Sequence, residues 1–522
     1  MSNQLKRSSR LVALVVAVAA IGVTAATAQG QSSARGSAAA GFTLRIGDTI
    51  PFTGDNAAYG PSFKVAADLA VAQAQAALTR DKIGNINVSI EHVDDGTKSD
   101  TAVSAARKLI GDGASCLVGS IPSANTIAIA QAAAIPSGVA MIASASSSVA
   151  VTTLQDNGLV FRVFPSDALQ GPVLAAVIQQ AIGKGKLVSL AARNDVFGVG
   201  LMNQLKPALT KLGMKTQGPL FFDPAASSYN SEATQIVANT PDAFVVVEFP
   251  AQYAKIGASL LRTGKFDAHK LFLAGGQLAT IPSFVPFDSM EGARGTRAAV
   301  PLGAGAAERY DALFKANAGG VQRQGVDAFN FDATTLCILG AIAAHSSDGR
   351  AIAKQLQKVS GPPGKTYTFE QLPQAIAALQ AGKDINYDGV TGPLDLDSSG
   401  DPGAATYDFY QYINGTLTVQ KQYRLVNGRA RILDLTPPTT PRVVGSHRAK
   451  AGKVLVLQFR SSDPGNVSPP IHFTCGIDKR PLRTCTATLR VKFKKGNHVI
   501  KVRATDDQGN TSALRVFSVK AR

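Results

Sequence analysis

The sequence of 522 residues predicts an α/β protein with two lobes, followed by a small all-β sandwich. The first observation is an alternation of short apolar strands with helices of roughly 10–15 residues, which is typical of parallel sheets flanked by helices. The second is length, because about 390 residues of this pattern exceed one comfortable hydrophobic core. The third is a series of short strands separated by turns after a proline-rich segment near residue 440.

Residues 1–28 have the pattern of a secretory signal peptide. Three basic residues precede an apolar run at 11–23, which is shorter than the ~20 residues needed to span a bilayer. Ala26 and Ala28 supply the small residues of a cleavage site, with cleavage expected near Ala28. An uncleaved membrane anchor is the alternative. Residues 29–40 are small and polar and predict a flexible leader, so we expect an exported chain that is periplasmic, extracellular or associated with the cell envelope.

The part from 41 to 430 alternates predicted strands and helices. Alternating or continuous apolar runs mark the strands, and apolar residues three and four apart mark the helices. The predicted strands are 44–50, 86–90, 116–119, 139–143, 186–191, 243–248 and 270–273. The predicted helices are 61–77, 100–110, 124–134, 167–182, 200–212 and 251–263.

Hydroxyl side chains are concentrated in three loops that follow predicted strands, at 51–60, 119–125 and 143–148. Open parallel sheets bind ligands beyond the carboxyl ends of their strands, so these loops are the candidate site. Hydroxyl and backbone N–H donors there favour a carboxylate or a similar anion. Any single serine in these loops could instead only cap a helix, and that alternative stays open.

Several stretches resemble the leucine/isoleucine/valine-type solute-binding proteins of ABC transporters, which have the type I periplasmic-binding-protein fold. They occur in the family's order and are IGDTIPFTG (46–54), AYG (58–60), AARKLI (105–110), FRVFPSD (161–167) with QG (170–171), and YDGVTGPL (387–394). The resemblance implies two α/β lobes joined by three crossings, within a domain at 41–430. It places the first lobe at about 41–164 and 295–370 and the second at about 165–294 and 371–425.

The resemblance also implies a ligand-binding set. In the first lobe, Ser123 matches the hydroxyl that holds the ligand carboxylate, and Tyr59 matches an aromatic wall of the cleft. Beside Ser123, Ala145, Ser146 and Ser147 match a loop of the family that offers backbone and hydroxyl groups.

In the second lobe, Asp167 matches the acid that pairs with a ligand ammonium, although a helix N-cap is an equally weighted alternative. Phe197 lies where the family often has tyrosine, and Gln277 lies where amino-acid binders tend to have a second acid. Because charge-assisted hydrogen bonds are roughly twice as strong as neutral ones, this change weakens the case for an ammonium ligand. An amino acid of the branched-chain type stays the first expectation, with a related amide or carboxylate as the alternative.

Enzymatic and metal-binding functions have little support in the sequence. We find no GxSxG, no Walker-type loop, no HExxH and no GxGxxG after a strand. Six histidines without a shared helix-face spacing argue against a histidine metal site, and no cofactor is expected. Residues 384–395 imitate a calcium loop, but the twelfth position is Asp395 rather than glutamate, and a turn between strands is the preferred interpretation.

A separate module is predicted at the C-terminus. Residues 431–441 form a proline-rich linker. Residues 442–522 have five short strands typical of a β-sandwich and resemble bacterial Ig-like repeats. Cys475 and Cys485 are ten residues apart, which favours a disulfide across a hairpin, whereas Cys116 and Cys337 are interpreted as buried thiols.

The charge of +17 is unevenly distributed, because residues 435–522 carry +13 and the middle of the chain is nearly neutral. The basic composition therefore does not indicate nucleic-acid binding by the whole molecule. We expect a small-molecule ligand and an ABC transporter permease as partners, and the tail could contact anionic cell-wall polymer or a membrane surface. The alternative function is a surface adhesion or tethering protein that uses the tail, with sensory or structural lobes.

Overall fold

The computed structural model describes residues 41–522, apart from 82–85, 276, 303–305, 427–428, 435, 465–470 and 507–509. The predicted signal peptide at 1–28 and the leader at 29–40 lie outside the described residues. Among the described helices, none is by itself long and apolar enough to cross a membrane. One pair, Ala328–Ala344 with Gly349–Val359, passes that test jointly but bends by 106°.

The first lobe begins with a five-stranded parallel sheet in the order β2-β1-β3-β4-β5. Its strands are β1 (Phe42–Ile50), β2 (Ile86–Asp94), β3 (Cys116–Gly119), β4 (Ala140–Ala143) and β5 (Val160–Arg162). The helices between them are α1 (Gly60–Arg80), α2 (Ser99–Gly111), α3 (Ser123–Ile129), α4 (Ile135–Ser137) and α5 (Val149–Thr152). The strands β3, β4 and β5 are buried at every position, as expected for a parallel sheet that helices cover on both faces.

The second lobe begins directly after β5, where the Ser166 hydroxyl caps the next helix by accepting the Ala168 N–H. Its helices are α6 (Asp167–Ile182), α7 (Val196–Lys211), α8 (Asn230–Ile236) and α9 (Pro250–Arg262). Its strands from this part of the chain are β6 (Leu187–Arg193), β7 (Lys215–Phe222), β8 (Ala243–Val247), β9 (Leu271–Ala274) and β10 (Arg294–Ala299).

The chain then returns to the first lobe. The returning elements are α10 (Ala306–Asn317), α11 (Ala328–Ala344), α12 (Gly349–Val359), β11 (Lys365–Thr368), α13 (Leu372–Gln380), β12 (Ile385–Gly389) and β13 (Gly392–Pro393). Helix α11 is buried along nearly its whole length and packs on α1. The segment that imitates a calcium loop forms β12 and the turn into β13. Asp332 accepts hydrogen bonds from Tyr387, Val390 and Thr391 around that turn.

Three antiparallel strands complete the second lobe: β14 (Thr406–Ile413), β15 (Thr416–Val426) and β16 (Arg429–Ile432). The full sheet has eight strands in the order β16-β15-β14-β10-β9-β8-β6-β7. The chain therefore passes between the lobes three times, after β5, after β10 and after β13.

Two of the predicted lobe boundaries are wrong. Strand β10 was expected to begin the return to the first lobe, but it pairs with β9 and β14 in the second lobe. Residues 371–393 were expected in the second lobe, but α13 packs on α1 and α11, and β12 pairs with β11. Strand pairing between distant segments decides both boundaries, and local periodicity carries no information about it.

The tail forms two β-sheets around its own hydrophobic core. The strands are β17 (Arg442–Val444), β18 (Arg448–Ala449), β19 (Val454–Arg460), β20 (His472–Ile477), β21 (Arg483–Cys485), β22 (Thr488–Lys492), β23 (Gly496–Thr505) and β24 (Arg515–Ala521). The sheet orders are β17-β19-β22 and β18-β24-β23-β20-β21. Leu457, Ile500, Val502 and Val519 are fully buried between the sheets. This arrangement is compatible with the predicted all-β domain.

The cysteines form two disulfides. Cys475 and Cys485 join β20 and β21, the hairpin pairing that their spacing favours. The interpretation of Cys116 and Cys337 as thiols is wrong, because they form a disulfide with a Cα–Cα distance of 6.1 Å. The reason is that α11 packs on β3, which brings together residues 221 positions apart.

A buried cluster of charged groups joins β1, β2, α1 and α11. His92 bonds to Asp48 through Nδ1 at 2.8 Å and to Asp68 through Nε2 at 3.0 Å. Asn330 donates to Asp48 at 3.1 Å. Burial works against the imidazolium, but the two carboxylates outweigh it and raise the pKa of His92 to about 9. His92 is therefore charged at neutral pH in the folded protein.

Removal of the Cys116–Cys337 disulfide should destabilise the lobes. The double variant Cys116→Ala/Cys337→Ala should lower the free energy of unfolding by about 2–5 kcal/mol, because the bond closes a long loop in the unfolded chain. Urea unfolding without reductant measures this. The control Cys475→Ala/Cys485→Ala should leave the transition of the lobes unchanged. An unaltered lobe transition in the first variant would contradict the disulfide.

The charged cluster predicts a pH dependence. The pKa of His92 is higher in the folded chain than the ordinary value of about 6.5, so its stabilisation is complete below that value and is lost as the pH rises through about 9. The stability difference between wild type and His92→Gln should shrink by roughly 2–3 kcal/mol between pH 6 and pH 10. Urea unfolding at both pH values measures it. The exposed control His472→Gln should give a constant difference, and a constant difference for His92→Gln would contradict the prediction.

Candidate ligand-binding cleft

The carboxyl ends of β1, β3 and β4 lie side by side, because these strands are neighbours in the first sheet. The loops that follow them therefore converge at one edge. The Ser123 hydroxyl accepts a hydrogen bond from the Ser148 N–H at 3.2 Å, which ties the loop after β3 to the loop after β4. The predicted first-lobe residues thus come from loops that are far apart in sequence but adjacent in space.

A narrow cavity of about 40 Å³ lies between these loops and the second lobe, and we call it the cleft cavity. Its lining consists of Tyr59, Ile121, Ser123, Ala145, Ser147, Phe164, Phe197, Phe249, Gly275 and Val326. Five of the eight residues predicted for the site therefore line it, namely Tyr59, Ser123, Ala145, Ser147 and Phe197. The other three, Ser146, Asp167 and Gln277, are not in the lining.

The polar groups of the cleft cavity belong to the first lobe. No described residue receives a hydrogen bond from the Ser123 hydroxyl, so its proton can be donated to a ligand. The Tyr59 hydroxyl is buried and has no hydrogen-bond partner among the described residues. Burial raises the pKa of Tyr59, so this group stays a neutral donor at ordinary pH.

Ser146 has a structural position next to the cavity. Its hydroxyl bonds to the Thr126 hydroxyl at 2.6 Å and reaches the carbonyls of Ser120 and Ile121 at 3.2 and 3.3 Å. These contacts fix the loop after β4 against the loop after β3, and they occupy the hydroxyl that the resemblance assigns to a ligand.

Asp167 lies behind the cavity at the first position of α6. Its N–H donates to the Ser147 carbonyl at 2.7 Å, and neither carboxylate oxygen makes a well-formed hydrogen bond to a described residue. Burial raises the pKa of Asp167 to about 7, while Ser147 and the Arg162 charge act in the opposite direction. The Asp167 carboxylate is thus available to accept a further hydrogen bond, but Asp167 does not line the cavity.

An aromatic plate from the second lobe faces the first-lobe hydroxyls. The rings of Phe197 and Phe249 are stacked, with centroids 5.7 Å apart and planes 3° from parallel. The Arg193 guanidinium lies over the Phe249 ring, 3.9 Å from its centroid. Asp195 holds the start of α7 by accepting the N–H groups of Phe197 and Gly198.

The acids near this plate are already engaged. Arg193 binds Glu248 and Asp195, with N–O distances of 2.5 Å to each. Glu248 also accepts the Phe249 N–H at 2.7 Å. Burial raises the pKa of Glu248 to about 7, whereas Arg193 acts in the opposite direction. Glu248 therefore holds the plate in place through Oε1, whereas its buried Oε2 has no hydrogen-bond partner among the described residues.

Gln277 is buried beside this region, and its Nε2 has no hydrogen-bond partner among the described residues. Gly275, two positions earlier, lines the cavity with a φ of +65°. A Cβ added at Gly275 would lie 3.0 Å from the Phe197 ring, so a side chain there would push the plate. The ligand-binding role of Gln277 stays a prediction.

A buried arginine that supports the serine loop after β4 was not predicted from the sequence. Arg162, fully buried in β5, donates from Nε to Asp401 at 2.7 Å and from Nη1 to the carbonyls of Ser146 and Ser148 at 3.2 and 2.9 Å. Its Nη2 reaches Thr152 and Asp401. Arg162 was detectable in the sequence because it is a charged residue in an apolar strand. Asp401 lies in an irregular segment, where no pattern indicates its burial.

The apolar wall was also missed in part, because Phe164, Phe249, Ile121 and Val326 were not predicted. Phe249 follows the carboxyl end of β8, the same kind of position that identified the first-lobe serines. This position was a detectable signal, but only hydroxyl side chains were predicted from the strand-end loops.

Outside the cleft, three carboxylates meet where the linker joins the tail. Ligand oxygens of Asp434, Asp463 and Asp506 all lie within 4.8 Å of one another. Oxygen donors of this type suit Ca²⁺. However, Asp506 already accepts hydrogen bonds from Asn510, and Asp434 accepts one from Thr436. The three carboxylates are thus part of the junction between linker and tail.

Comparisons with known proteins agree with this geometry. Residues 43–415 match the sequence profile of the family described as periplasmic binding protein. The chain is 25% identical over 372 residues to the chemotactic signal transduction system substrate-binding protein BasB of Halobacterium salinarum, covering 70% of this chain and 86% of that protein.

Two solved structures share the fold at low sequence identity. The branched-chain amino acid transporter substrate-binding protein LivJ of Streptococcus pneumoniae, in complex with isoleucine, has a TM-score of 0.59 and 16% identity, covering 75% of this chain and all of that one. A Rhodopseudomonas palustris solute-binding protein of an ABC transporter, in complex with 4-hydroxybenzoate, has a TM-score of 0.57 and 16% identity, covering 73% and 96%. The profile match covers most of the chain, and the family consists of ligand binders rather than enzymes. The protein is therefore a member of the periplasmic binding protein family, and it binds a ligand without catalysing a reaction.

Proposed function

We propose that the protein captures a small carboxylate with an apolar body by closing its two lobes, and that it delivers this ligand to an ABC transporter permease. The observation that carries the proposal is the division of the cleft cavity, with hydroxyl donors on the first lobe and an aromatic plate on the second. Its volume of about 40 Å³ is smaller than the roughly 300–1,000 Å³ of small-molecule sites, so a ligand enters only when the lobes separate.

The carboxylate end of the ligand is assigned to the first lobe. Ser123 has a hydroxyl proton available, and Ser147 and the Ala145 backbone lie beside it in the lining. Hydrogen bonds to an ionised acceptor are shorter and stronger than neutral ones, so a carboxylate gains most from these donors. Ser146 is left out of the proposed contact set, since its hydroxyl binds Thr126.

The body of the ligand is assigned to the second lobe. Phe197 and Phe249 offer a flat apolar surface, and Phe164 closes the side. The relatives in the comparison bind isoleucine and 4-hydroxybenzoate, and both compounds combine a carboxylate with an apolar body. An aromatic or a branched aliphatic body therefore fits the proposal.

Asp167 decides whether an amino acid is accepted. It is the acid predicted to bind a ligand ammonium, and its buried carboxylate lacks a well-formed hydrogen bond. An ammonium that reached it would favour the ionised form and lower its pKa from about 7. A carboxylate without an amino group needs no such partner.

Closure follows from the placement of the contacts on both lobes. A ligand stabilises the closed state only through its differential affinity for that state, so it must touch both halves. The serine loops and the aromatic plate meet this requirement. The tethering function predicted as the alternative is favoured by the charge of the tail, and it requires no closure at all.

A thermal-shift panel of amino acids, aromatic carboxylates and aliphatic carboxylates tests the proposal. A ligand at 100 times its dissociation constant should stabilise the protein by about 2.7 kcal/mol. Ser123→Ala should abolish the shift for every ligand, whereas Asp167→Ala should abolish it only for amino acids. The control Ser189→Ala removes a buried hydroxyl of the second lobe and should keep the shift.

Two outcomes would count against this assignment. A shift that survives in Ser123→Ala would place the carboxylate elsewhere. A complete panel without any shift, together with unchanged small-angle scattering profiles, would favour the tethering alternative.

The Arg162–Asp401 pair predicts a link between stability and affinity. Asp401→Asn leaves a buried guanidinium without its counter-charge, which should lower the free energy of unfolding by about 3–5 kcal/mol. It should also weaken ligand binding, because Arg162 holds the carbonyls of Ser146 and Ser148. Urea unfolding and calorimetric titration measure the two effects. The exposed control Asp384→Asn should change neither, and full affinity in Asp401→Asn would contradict the positioning role.

A further inference from the structure

The outer face of the three-stranded tail sheet has an unusual composition, and we call it the basic face. Nine side chains point outward from β17, β19 and β22: Arg442, Val444, Val454, Val456, Gln458, Arg460, Thr488, Arg490 and Lys492. Four of them are cations, three are valines, and none is acidic. The basic face therefore combines positive charge with apolar side chains and has no carboxylate.

The cations are not neutralised within the described part of the tail. Arg442 lies directly opposite Arg460 in the register, a pairing of like charges that destabilises a sheet. The ion pair in the described tail joins His498 to Asp478 and does not reach this face. Asp463 and Asp506 belong to the cluster with Asp434. The basic face therefore has a net charge of +4 and presents it to solvent.

The valines give the face a second property. Val444, Val454 and Val456 are 39%, 50% and 39% exposed. A strand face that meets only water normally carries polar residues at these positions. Val454 lies opposite Lys492 and Val456 lies opposite Arg490, so apolar and cationic side chains are interleaved across the strands.

We propose that the basic face docks flat on a membrane surface that contains anionic phospholipid. Cations near such a surface gain roughly 1 kcal/mol each from the headgroup charge. Aliphatic side chains beside them gain by entering the boundary between headgroups and acyl chains. A hydrated linear polyanion would use the cations alone and would leave the valines in water, which is why lipid fits this face better.

Charge alone does not select this face. The outer face of the second sheet also carries cations, including Lys501 and Lys520, and the exposed valines Val499 and Val516. Polar side chains lie opposite two of these residues, Asn497 opposite Lys520 and Ser518 opposite Val499, so cations and valines are less concentrated there than on the basic face. The sheets of a sandwich lie about 10 Å apart, which exceeds the Debye length of about 8 Å at physiological salt. Cations on the far sheet should therefore contribute little when the basic face is against the membrane, and they provide a matched control.

Sedimentation of the full mature chain with lipid vesicles tests the proposal. Binding is expected to vesicles of phosphatidylcholine mixed with phosphatidylglycerol, and not to phosphatidylcholine alone. Arg460→Gln/Arg490→Gln should lower the partition coefficient roughly 25-fold, about five-fold for each cation. Val454→Ser/Val456→Ser should lower it roughly ten-fold. Lys501→Gln/Lys520→Gln should leave it nearly unchanged at physiological salt.

Three results would overturn the proposal. The first is the absence of binding to the anionic vesicles. The second is equal loss in the variants of the two sheets, which would mean diffuse attraction by net charge. The third is wild-type binding by the valine variant, with soluble polyphosphate competing equally well, which would identify a polyanion as the partner. All the substituted side chains lie on outer sheet faces, so thermal midpoints near that of wild type verify that the variants fold.

Discussion

The buried ion pair between Arg162 and Asp401 is the interaction on which the cleft depends. Taking both charges out of water is costly, so the pair is justified less by stability than by the geometry that it imposes. Arg162 belongs to the first sheet, and Asp401 belongs to the third crossing between the lobes. The same guanidinium holds two carbonyls of the loop that carries Ser147. One side chain therefore connects the loop after β4 to a segment through which the chain passes between the lobes.

The two lobes contribute different chemistry to the cleft. The first lobe supplies hydroxyl and backbone donors, and the second supplies a plate in which Phe249 contacts both the Phe197 ring and the Arg193 guanidinium. The ion pair of Arg193 with Glu248 lies behind that ring, so the charge stabilises the apolar wall without entering it. This arrangement separates the polar side of the cleft cavity from its apolar side.

The sequence predicted what depends on local pattern. Strand and helix alternation indicated the two α/β lobes, and position after a strand identified Ser123. What it could not predict depends on contacts between distant segments: the disulfide from Cys116 required the packing of α11 on β3, and β10 chose its sheet through non-local pairing. Asp167 matched the resemblance in position, but its place behind the cavity wall is a property of the packed lobes.

The order of segments in the first lobe has a consequence for biogenesis. Its sheet is complete by β5, yet the core helix α11 that covers it and the sulfur that pairs with Cys116 lie beyond residue 327. A chain that emerges from its N-terminus must therefore keep that sheet uncovered until the whole middle of the polypeptide has been delivered. Exposed apolar surface of this kind is prone to aggregation until α11 packs on the sheet.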